Sequence, residues 1–214
     1  MNKLTLRLKT ILDELAHCKT FADVGCDHGY IAENMLKTGK CQFAYVTDIS
    51  SLSLKKAESL LSKEYLGKFK AIVCNGLCGV PLSDQVLIAG MGGEVICDIL
   101  NSADFLPERL VLQPMKNADK VRLKVLKLGY KLIKDYTFKD EKFYDLIVCE
   151  KGNDFYSEEE LEFGRDNLRQ KGQAFRQVLQ NKISVLRKAM PSMSEEDKAI
   201  AKTQIDKYTE ILNK

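Results

Sequence analysis

The sequence has little of what builds metal sites and membrane spans. It has only two histidines, and its seven cysteines form no Cys-x-x-Cys pair, which argues against a zinc site. No apolar run approaches the roughly 18 residues that cross a bilayer. Residues 1–9 alternate charged residues with leucine and lack a signal-peptide core. We therefore expect a soluble, cytoplasmic protein with reduced thiols, no metal and no membrane partner.

What is present is an ordinary globular composition. The 214 residues are 45% hydrophobic and 29% charged, and the formal net charge at pH 7 is +3. This length suits one α/β domain and an appendage. The net charge is too small to identify a nucleic-acid partner, so the distribution of charge matters more than its sum.

Short apolar runs alternate with helical patterns through most of the chain. The runs predict strands at residues 21–24, 41–48, 69–74, 85–89, 109–113, 131–133 and 143–149. Helices are predicted at residues 4–15, 31–37 and 94–100, from a Ser50 or Ser51 cap to residue 61, and from an Asn117 cap to residue 128. Such alternation indicates a doubly wound, mostly parallel sheet. The last two strands leave no room for a crossover helix between them, so they must pair antiparallel.

A different pattern begins after residue 151. Residues 157–160 form a capping-box pattern, and apolar residues then recur at helical spacing until Pro191 ends the helix. A second cap at Ser194 opens another helix with one apolar stripe. We therefore predict two domains, residues 1–151 and 152–214, the second being an α-helical hairpin of coiled-coil type. Because this hairpin can cover its own stripe, we expect a monomer.

Residues 21–30 have the pattern of a strand, a tight turn and a helix N-terminus, where open α/β sheets bind nucleotides. The turn lacks the G-x-G-x-x-G of dinucleotide folds and holds Asp27 and His28 instead. Because a carboxylate repels a pyrophosphate, the turn suits a cofactor without phosphates. Asp48 ends the second strand, where an acid accepts ribose hydroxyls, and Asn75 follows the third, where an amide can meet adenine. Together these residues indicate S-adenosylmethionine.

Several stretches carry a resemblance to a known family. They are LTLRL at residues 4–8, ADVGCDHGY at 22–30, NGL at 75–77, AGMGG at 89–93 and LQP at 112–114. In these stretches the chain resembles the bacterial tRNA (adenine-22) N1-methyltransferases, the TrmK-type family. The resemblance implies a Rossmann-like class I methyltransferase domain with a seven-stranded, mostly parallel sheet and a C-terminal helical coiled-coil hairpin. It also implies S-adenosylmethionine as cofactor and methylation of N1 of adenine 22 in tRNA.

With this resemblance, the cofactor is expected to contact residues that follow the ends of strands. These are Asp23, Gly25, Cys26, Asp48, Ile49, Asn75, Gly76, Leu77 and Gly90. The family usually has an acid where Asn75 stands, and the Asn75 carbonyl can still accept a hydrogen bond.

Five residues are candidates for positioning the adenine or handling its proton: Arg7, Asp27, His28, Tyr30 and Met91. Adenine N1 keeps a ring lone pair, so the main task is in-line positioning and exclusion of water. Asp27 is the first candidate, although an Asp before a helix is also a common N-cap. His28 and Tyr30 are equally compatible with structural roles. Met91 offers a soft surface in a segment that is otherwise a glycine-rich turn, and Arg7 comes from the resemblance alone.

The tRNA is expected to contact the glycine-rich segment, one strand end and two basic segments. The residues are Gly92, Gly93, Gln113, Pro114, Lys116, Arg165, Arg169 and Arg176. One basic segment spans residues 116–134 and includes Arg122; in residues 162–188 seven positive charges face two negative ones. A charge run is usually a solvated face. With a tRNA substrate implied, we interpret both segments as phosphate-binding, which makes binding salt-dependent.

Three other functions stay open. A non-catalytic RNA-binding protein would keep the fold, but Asp27, Asp48 and residues 90–93 argue against it. A small-molecule methyltransferase would more often carry a lid than a basic hairpin. A dehydrogenase is the most distant alternative, because the dinucleotide fingerprint is missing.

Overall fold

The computed structural model describes residues 4–213. Residues 1–3 and 214 lie outside the described residues. They include the outer ends of the two predicted domains and the first part of the N-terminal stretch that lacks a signal-peptide core. The strands are β1 (Cys18–Val24), β2 (Cys41–Asp48), β3 (Phe69–Val73), β4 (Gln85–Met91), β5 (Arg109–Pro114), β6 (Tyr130–Lys139) and β7 (Phe143–Lys151). The α-helices are α1 (Leu6–Glu14), α2 (Tyr30–Lys37), α3 (Ser51–Leu61), α4 (Gly93–Asn101), α5 (Ala118–Lys127), α6 (Glu158–Phe163), α7 (Arg165–Gln170), α8 (Gln173–Ala189) and α9 (Glu195–Asn213).

The strands form one seven-stranded sheet in the order β3-β2-β1-β4-β5-β7-β6. Strands β1 to β5 run parallel, and β7 pairs antiparallel with both β5 and β6. Residues 140–142 alone join β6 to β7, which is too short for a crossover. The α/β class and the antiparallel last pair are therefore confirmed. Strand β6 is much longer than its predicted residues 131–133, because its polar half pairs with β7 along the whole edge.

The central strands are buried on both faces, which explains their nearly continuous apolar runs. Successive side chains along a strand point to opposite faces. Val24, Ile88 and Leu112 belong to one core cluster. Their chain neighbours Leu87 and Val111 belong to the other. Helices cover both clusters, so only the strand ends are free to form a site.

Side-chain caps begin three of the helices as predicted. Ser50 Oγ and Ser157 Oγ each accept a hydrogen bond from the backbone N–H three residues further on, and Ser157 completes a capping box. Ser194 Oγ accepts in the same way. Asn117 is the N-cap residue of α5, as predicted, but its φ is 56° and its side chain makes no capping bond. Its left-handed backbone instead lets the carbonyl of Lys116 accept from the first residue of α4 at 2.9 Å.

The single long helix predicted before Pro191 is wrong, because this segment forms α6, α7 and α8. Gly164, with φ 85°, separates α6 from α7. A Cβ at this position would lie 2.9 Å from Asp135 Oδ1. That carboxylate accepts two bonds from buried Arg122 Nε, at 2.9 and 2.8 Å. Arg122 also donates to the carbonyl of Leu161, so an arginine of the sheet domain satisfies a backbone carbonyl in α6.

Helices α8 and α9 form the predicted hairpin around one apolar cluster. Its buried members are Phe163, Phe175, Leu179, Ile183, Ile205, Tyr208 and Ile211. Helices α6 and α7 instead pack on the sheet domain; for example, Asn167 Oδ1 accepts from the backbone N–H of Thr137 in β6 at 2.8 Å. The domain boundary at residue 152 stays a proposal, and these contacts favour a division nearer Gly172.

Candidate active site

The carboxyl ends of β1, β2 and β4 meet where the strand order reverses direction, the place where open α/β sheets hold ligands. Strand β1 ends at Val24, and Gly25 follows with φ +68°. The backbone N–H groups of Gly25 and Cys26 both donate to the carbonyl of Thr47 in β2, at 2.8 and 3.0 Å. These two hydrogen bonds hold the turn against β2, and a cavity lies on each side of the turn.

The first cavity, which we call the β2–β3 cavity, lies beyond the ends of β2 and β3 and has a volume of about 310 Å³. Predicted cofactor residues line it: Gly25, Asp48, Ile49, Asn75, Gly76 and Gly90. Asp48 Oδ1 accepts from the backbone N–H of Ser50 at 2.8 Å, which fixes the carboxylate at the strand end. Gly76, with φ +65°, has no room for a side chain, because a Cβ would lie 2.8 Å from Ile99 Cγ2.

The second cavity, the α1–α2 cavity, lies between helix α1 and the turn before α2 and has a volume of about 210 Å³. Its lining brings together seven of the predicted residues: Arg7, Asp23, Gly25, Cys26, Asp27, His28 and Tyr30. Residues from the first helix and from the first strand thus meet at one place. The side chains carry charges of both signs beside aromatic rings.

Gly25 lines both cavities, and Met91 packs directly on it. A Cβ at Gly25 would lie 2.1 Å from the Met91 methyl carbon Cε. Glycine is required there because its φ is positive and because the methionine methyl occupies the space of a side chain. Gly25, with the Met91 methyl packed on it, therefore lies between the two cavities.

Asp27 and His28 form a hydrogen-bonded pair at the mouth of the α1–α2 cavity. His28 Nδ1 lies 2.7 Å from Asp27 Oδ2, and Lys56 Nζ lies 3.5 Å from Asp27 Oδ1. The His28 ring stacks on Tyr30 with centroids 5.3 Å apart and planes 8° apart. Asp27 is not the N-cap of α2: that position is Gly29, and Asp27 has φ 45°. Its carboxylate therefore faces the cavity and solvent instead of the helix end.

Asp23 and Cys26 line the same cavity but are more enclosed. Asp23 is 5% exposed, and burial raises the pKa of its carboxyl group to about 7. Burial, together with the nearby carboxylates of Asp23 and Asp48, also raises the pKa of the Cys26 thiol. The thiol is thus protonated at neutral pH, whereas Asp23 is poised to ionise when a cation enters the cavity.

Arg7 reaches the rim of the α1–α2 cavity from helix α1. Its Nη1 donates to Gln113 Oε1 at 2.9 Å, and its guanidinium carbon lies 5.7 Å from the centre of the Tyr144 ring. Its backbone N–H donates to Asp140 Oδ2 at 2.9 Å. A Cβ at Gly90 would lie 3.4 Å from Nη1, so the glycine leaves room for the guanidinium.

Some predicted contact residues do not face a cavity. Leu77 is fully buried in the core. Gly93 is packed so closely against the start of α5 that a Cβ would lie 2.3 Å from the carbonyl oxygen of Asn117. Gln113 and Pro114 are buried, and Gln113 holds Arg7 instead of contacting a ligand directly. Gly92 is the backbone cap of α4. The direct contacts expected of these residues stay predictions, and any contact made by Leu77 or Gly93 would have to come from the backbone.

The basic segments are less available than their sequence indicates. Arg122 is 1% exposed and paired with Asp135. Arg165 donates to both carboxylate oxygens of Asp154 at 3.0 Å and to Glu160 at 2.9 Å. Arg122 is therefore enclosed, whereas Arg165 is partly buried among its ion pairs, and the phosphate contact expected of Arg165 stays a prediction.

Other basic residues remain on the surface. Arg176 is exposed and donates to the carbonyls of Lys171 and Leu212 at 2.9 and 3.3 Å. Lys116 and Arg169 are exposed as well. These residues and the exposed basic residues of α8 are the ones whose position leaves them accessible to a ligand.

Sequence reasoning missed three residues of the α1–α2 cavity and its rim. Lys56 reaches Asp27 from helix α3, while Tyr144 and Asp140 reach Arg7 from β7 and from the turn before it. None of them lies in a motif. Their roles come only from the packing of helices and strands that are distant in the chain.

Within residues 4–213, no group of three or more His, Cys, Asp or Glu side chains is arranged to hold a metal ion. None of the described helices is long and apolar enough to span a membrane. All seven cysteines are free thiols.

Known proteins resemble this chain along much of its length. The family model described as tRNA (adenine(22)-N(1))-methyltransferase, TrmK, matches residues 21–214. The tRNA (adenine(22)-N(1))-methyltransferase of Bacillus subtilis is 30% identical over 158 residues, which cover 71% of this chain and 66% of that protein. The chain thus spans two thirds or less of the length of the curated relatives that it matches.

Solved structures resemble the chain from end to end. A protein of the NADB-Rossmann superfamily from Streptococcus agalactiae has a TM-score of 0.89 at 28% identity, with 98% of this chain and 97% of that chain covered. TrmK from M. capricolum, in complex with S-adenosyl-homocysteine, has a TM-score of 0.88 at 25% identity, with 98% of both chains covered. The likeness includes the C-terminal helices as well as the sheet.

Proposed function

Because the chain belongs to the tRNA (adenine(22)-N(1))-methyltransferase family, we propose that it transfers the methyl group of S-adenosylmethionine to N1 of adenine 22 in tRNA. The observation that carries the proposal is the pair of cavities that meet at Gly25. One is lined by groups suited to an adenosine, and the other by groups suited to a nucleotide base. Two ligands held on either side of one glycine bring a methyl donor and its acceptor into line.

The β2–β3 cavity fits the adenosine part of the cofactor. One oxygen of Asp48 accepts from Ser50, and the lone pairs left over suit two ribose hydroxyls. Asn75 places an amide at the rim for the adenine edge. The side chains of Ile49 and Val95 are 76% and 50% exposed on this cavity, so a flat ring between them would bury apolar surface on binding.

The α1–α2 cavity fits the cationic end of the cofactor and the target base. When bound, S-adenosylmethionine supplies a methyl group activated by its sulfonium, and the departing sulfur keeps the electron pair of the broken C–S bond. Asp23, beside Gly25, attracts positive charge at the inner end of the cavity once it is ionised. Gly25 lines this cavity, and Met91, which packs on Gly25 from the β2–β3 cavity, excludes water from the space between the two ligands.

Asp27, His28 and Tyr30 surround the space for the adenine. The base must leave its stack to enter, and the paired His28 and Tyr30 rings offer it a flat surface. The N1 lone pair forms the new bond, so the methylated adenine becomes a cation. Asp27, oriented by His28 and Lys56, accepts a hydrogen bond from the adenine amino group and stabilises that positive charge.

The direct test is a methylation assay with unmodified tRNA and labelled S-adenosylmethionine, followed by mapping of the modified nucleotide. We expect one methyl group on N1 of adenine 22 and none on tRNA in which adenine 22 is changed to guanine. Equal incorporation into the changed tRNA would contradict the site. Binding of tRNA and cofactor without any transfer would favour a non-catalytic RNA-binding protein.

We also propose that exposed basic residues of α7 and α8 bind tRNA phosphates. Arg169 lies in α7, and Arg187 and Lys188 lie in the last turn of α8; all three are exposed. Changing all three to Gln should lower the slope of log affinity against log salt by about 2 to 3. The control changes Lys19, Lys37 and Lys63, which are exposed in β1, at the end of α2 and just after α3; an equal change of slope there would argue against a phosphate surface on the hairpin.

The protein is proposed to act as a monomer in the cytoplasm. The apolar cluster of α8 and α9 is covered within the chain, which supports a monomer, and a tRNA substrate supports the cytoplasm. Light scattering at assay concentration tests the first point, since a dimer would double the mass.

A further inference from the structure

Gln113 is a buried amide with its hydrogen-bonding groups committed. It lies in β5 and is 0% exposed. Its Oε1 accepts from Arg7 Nη1 at 2.9 Å, while its Nε2 donates to the carbonyl of Pro114 at 3.0 Å and lies 3.5 Å from Met115 Sδ. The residue therefore links a central strand to helix α1, at a sequence separation of 106 residues.

The environment fixes which end of the amide faces Arg7. An amide has one end that only accepts and one that only donates. The carbonyl of Pro114 is an acceptor, so it selects the NH2 end, and the oxygen must then face the guanidinium. A flipped amide would place N–H groups against a guanidinium that also only donates. The local backbone of β5 thus orients the acceptor that holds Arg7.

Arg7 is the group that this acceptor controls. A guanidinium has five N–H donors, and Gln113 uses one of them. The side chain is further confined by the Tyr144 ring and by the space above Gly90, and it lines the α1–α2 cavity. A long flexible side chain is thereby held at the cavity rim before any substrate arrives.

We propose that Gln113 is a positioning residue that acts through Arg7, holding its guanidinium where it meets the nucleotide that enters the α1–α2 cavity. The inference rests on the proposed methyl transfer to tRNA. It assigns to the buried amide a role in turnover that does not require contact with the base.

The chain offers a matched control in Gln85. This second glutamine is 1% exposed and lies in the adjacent strand β4. Its Oε1 accepts from the backbone N–H of Ala16 at 3.0 Å, and its Nε2 donates to the carbonyl of the same residue at 3.3 Å. Gln113 therefore holds a side chain near the start of α1, and Gln85 holds the backbone of Ala16, two residues after the end of α1. Only Gln113 bonds to a side chain at the cavity.

The experiment is a double-mutant cycle on the full chain, with kcat, KM for tRNA and the Kd of S-adenosylmethionine measured for each variant. We expect Gln113→Leu to lower kcat about thirtyfold, with KM and cofactor Kd within about threefold. Gln85→Leu should lower the melting temperature to a similar extent but keep kcat within about twofold. Arg7→Met should lower kcat at least as much as Gln113→Leu, and the double variant should match Arg7→Met, because one residue acts through the other.

A second readout does not depend on activity. The Nε–H resonance of Arg7 in labelled protein should be sharp in wild type and in Gln85→Leu, and broadened in Gln113→Leu. If Gln113→Leu does not fold, Gln113→Met replaces it, because an unbranched side chain of similar length fills the same space.

Additive losses in the cycle, an equal loss of kcat in Gln85→Leu, or an unchanged Arg7 resonance in Gln113→Leu would each overturn the positioning role. Those results leave the proposed function standing, since wild type would still methylate adenine 22. Absence of transfer by wild type would contradict the proposed function instead, and the Arg7 resonance would still decide whether Gln113 orders the guanidinium.

Discussion

The two cavities on either side of Gly25 are built in different ways. The β2–β3 cavity comes from strand ends and from the short turns that directly follow them, and Asp48 is fixed there by a residue only two positions away. The α1–α2 cavity joins helix α1, the β1–α2 turn and a lysine of α3. Its Arg7 is held by Gln113, 106 residues away.

This difference distinguishes how a cofactor site forms from how a site for one particular base forms. Turns after parallel strands are set by local backbone geometry, so they form a cofactor site wherever the sheet forms. A site for one particular base needs charges at exact places, and here these are supplied by contacts between distant elements. Variants in the two cavities should therefore separate cofactor binding from turnover.

The largest effect is expected at Gly25, which lines both cavities. Gly25→Ala should lower methyl transfer on the order of 10³-fold, because the new Cβ would overlap the Met91 methyl and block the line of transfer. Turnover assays with saturating tRNA measure this. Gly39→Ala is the control: its φ is +66°, but nothing lies within 4 Å of the new Cβ. Both variants pay about 1–2 kcal/mol of backbone strain, so equal losses of activity would point to strain alone.

The next effect belongs to the α1–α2 cavity alone. Asp27→Ala should lower turnover by about 10²-fold, because the carboxylate that stabilises the cationic product is lost. Cofactor affinity by calorimetry should stay nearly intact, since the exposed Asp27 side chain lies at the mouth of this cavity, whereas the cationic part of the cofactor is expected at the inner end beside buried Asp23. Asp98→Ala, at an exposed position of α4, serves as the control. A collapse of cofactor affinity would show instead that Asp27 maintains the turn.

The β2–β3 cavity should show the reverse behaviour. Asp48→Ala should weaken S-adenosylmethionine binding by about thirtyfold, because hydrogen bonds to a charged group are lost. Binding of tRNA, followed by gel shift, should not change, since Asp48 does not line the α1–α2 cavity. If tRNA binding fell to the same extent, the two cavities would not be independent.

The smallest effect is a pH dependence at the inner end of the α1–α2 cavity. Burial raises the pKa of Asp23 from 3.8 to about 7, so the free protein binds this proton below pH 7 and a cationic ligand must displace it. Affinity for S-adenosylmethionine should therefore rise by about tenfold from pH 6 to pH 8 and then level off. The same shift makes the free protein less stable as pH rises from about 4 to 7. An unchanged pH dependence of affinity in Asp23→Asn would assign the titration to another group.

Much of the β2–β3 cavity was accessible from the sequence. Asp48 and Asn75 follow apolar runs that could only be strands, and the carboxyl ends of parallel strands meet at one edge. The turn at Gly25 was recognised because a strand, a glycine and a helix start occur within ten residues. Each of these signals lies within a short stretch of the chain, so it can be recognised from the sequence without the tertiary structure.

The differences between expectation and structure have a common cause in contacts between separate elements. Arg122 and Arg165 were interpreted as surface charges, yet both are enclosed by carboxylates from other elements. The long helix before Pro191 is divided at Gly164 because Arg122 and Asp135 occupy the space beside it. Gln113 lies beside the predicted site, but nothing in the sequence pattern shows that it accepts a hydrogen bond from Arg7.

The sequence by itself determined the fold class, the order of strands and helices, and the backbone turns that hold the cofactor. Its alternation of apolar and polar residues dictates which faces are buried, and its glycines mark where the chain must turn sharply. Only the tertiary structure decided which charges are available to a substrate. A charge is free or neutralised according to what packs against it, and for Arg7, Arg122 and Arg165 those partners come from elsewhere in the chain.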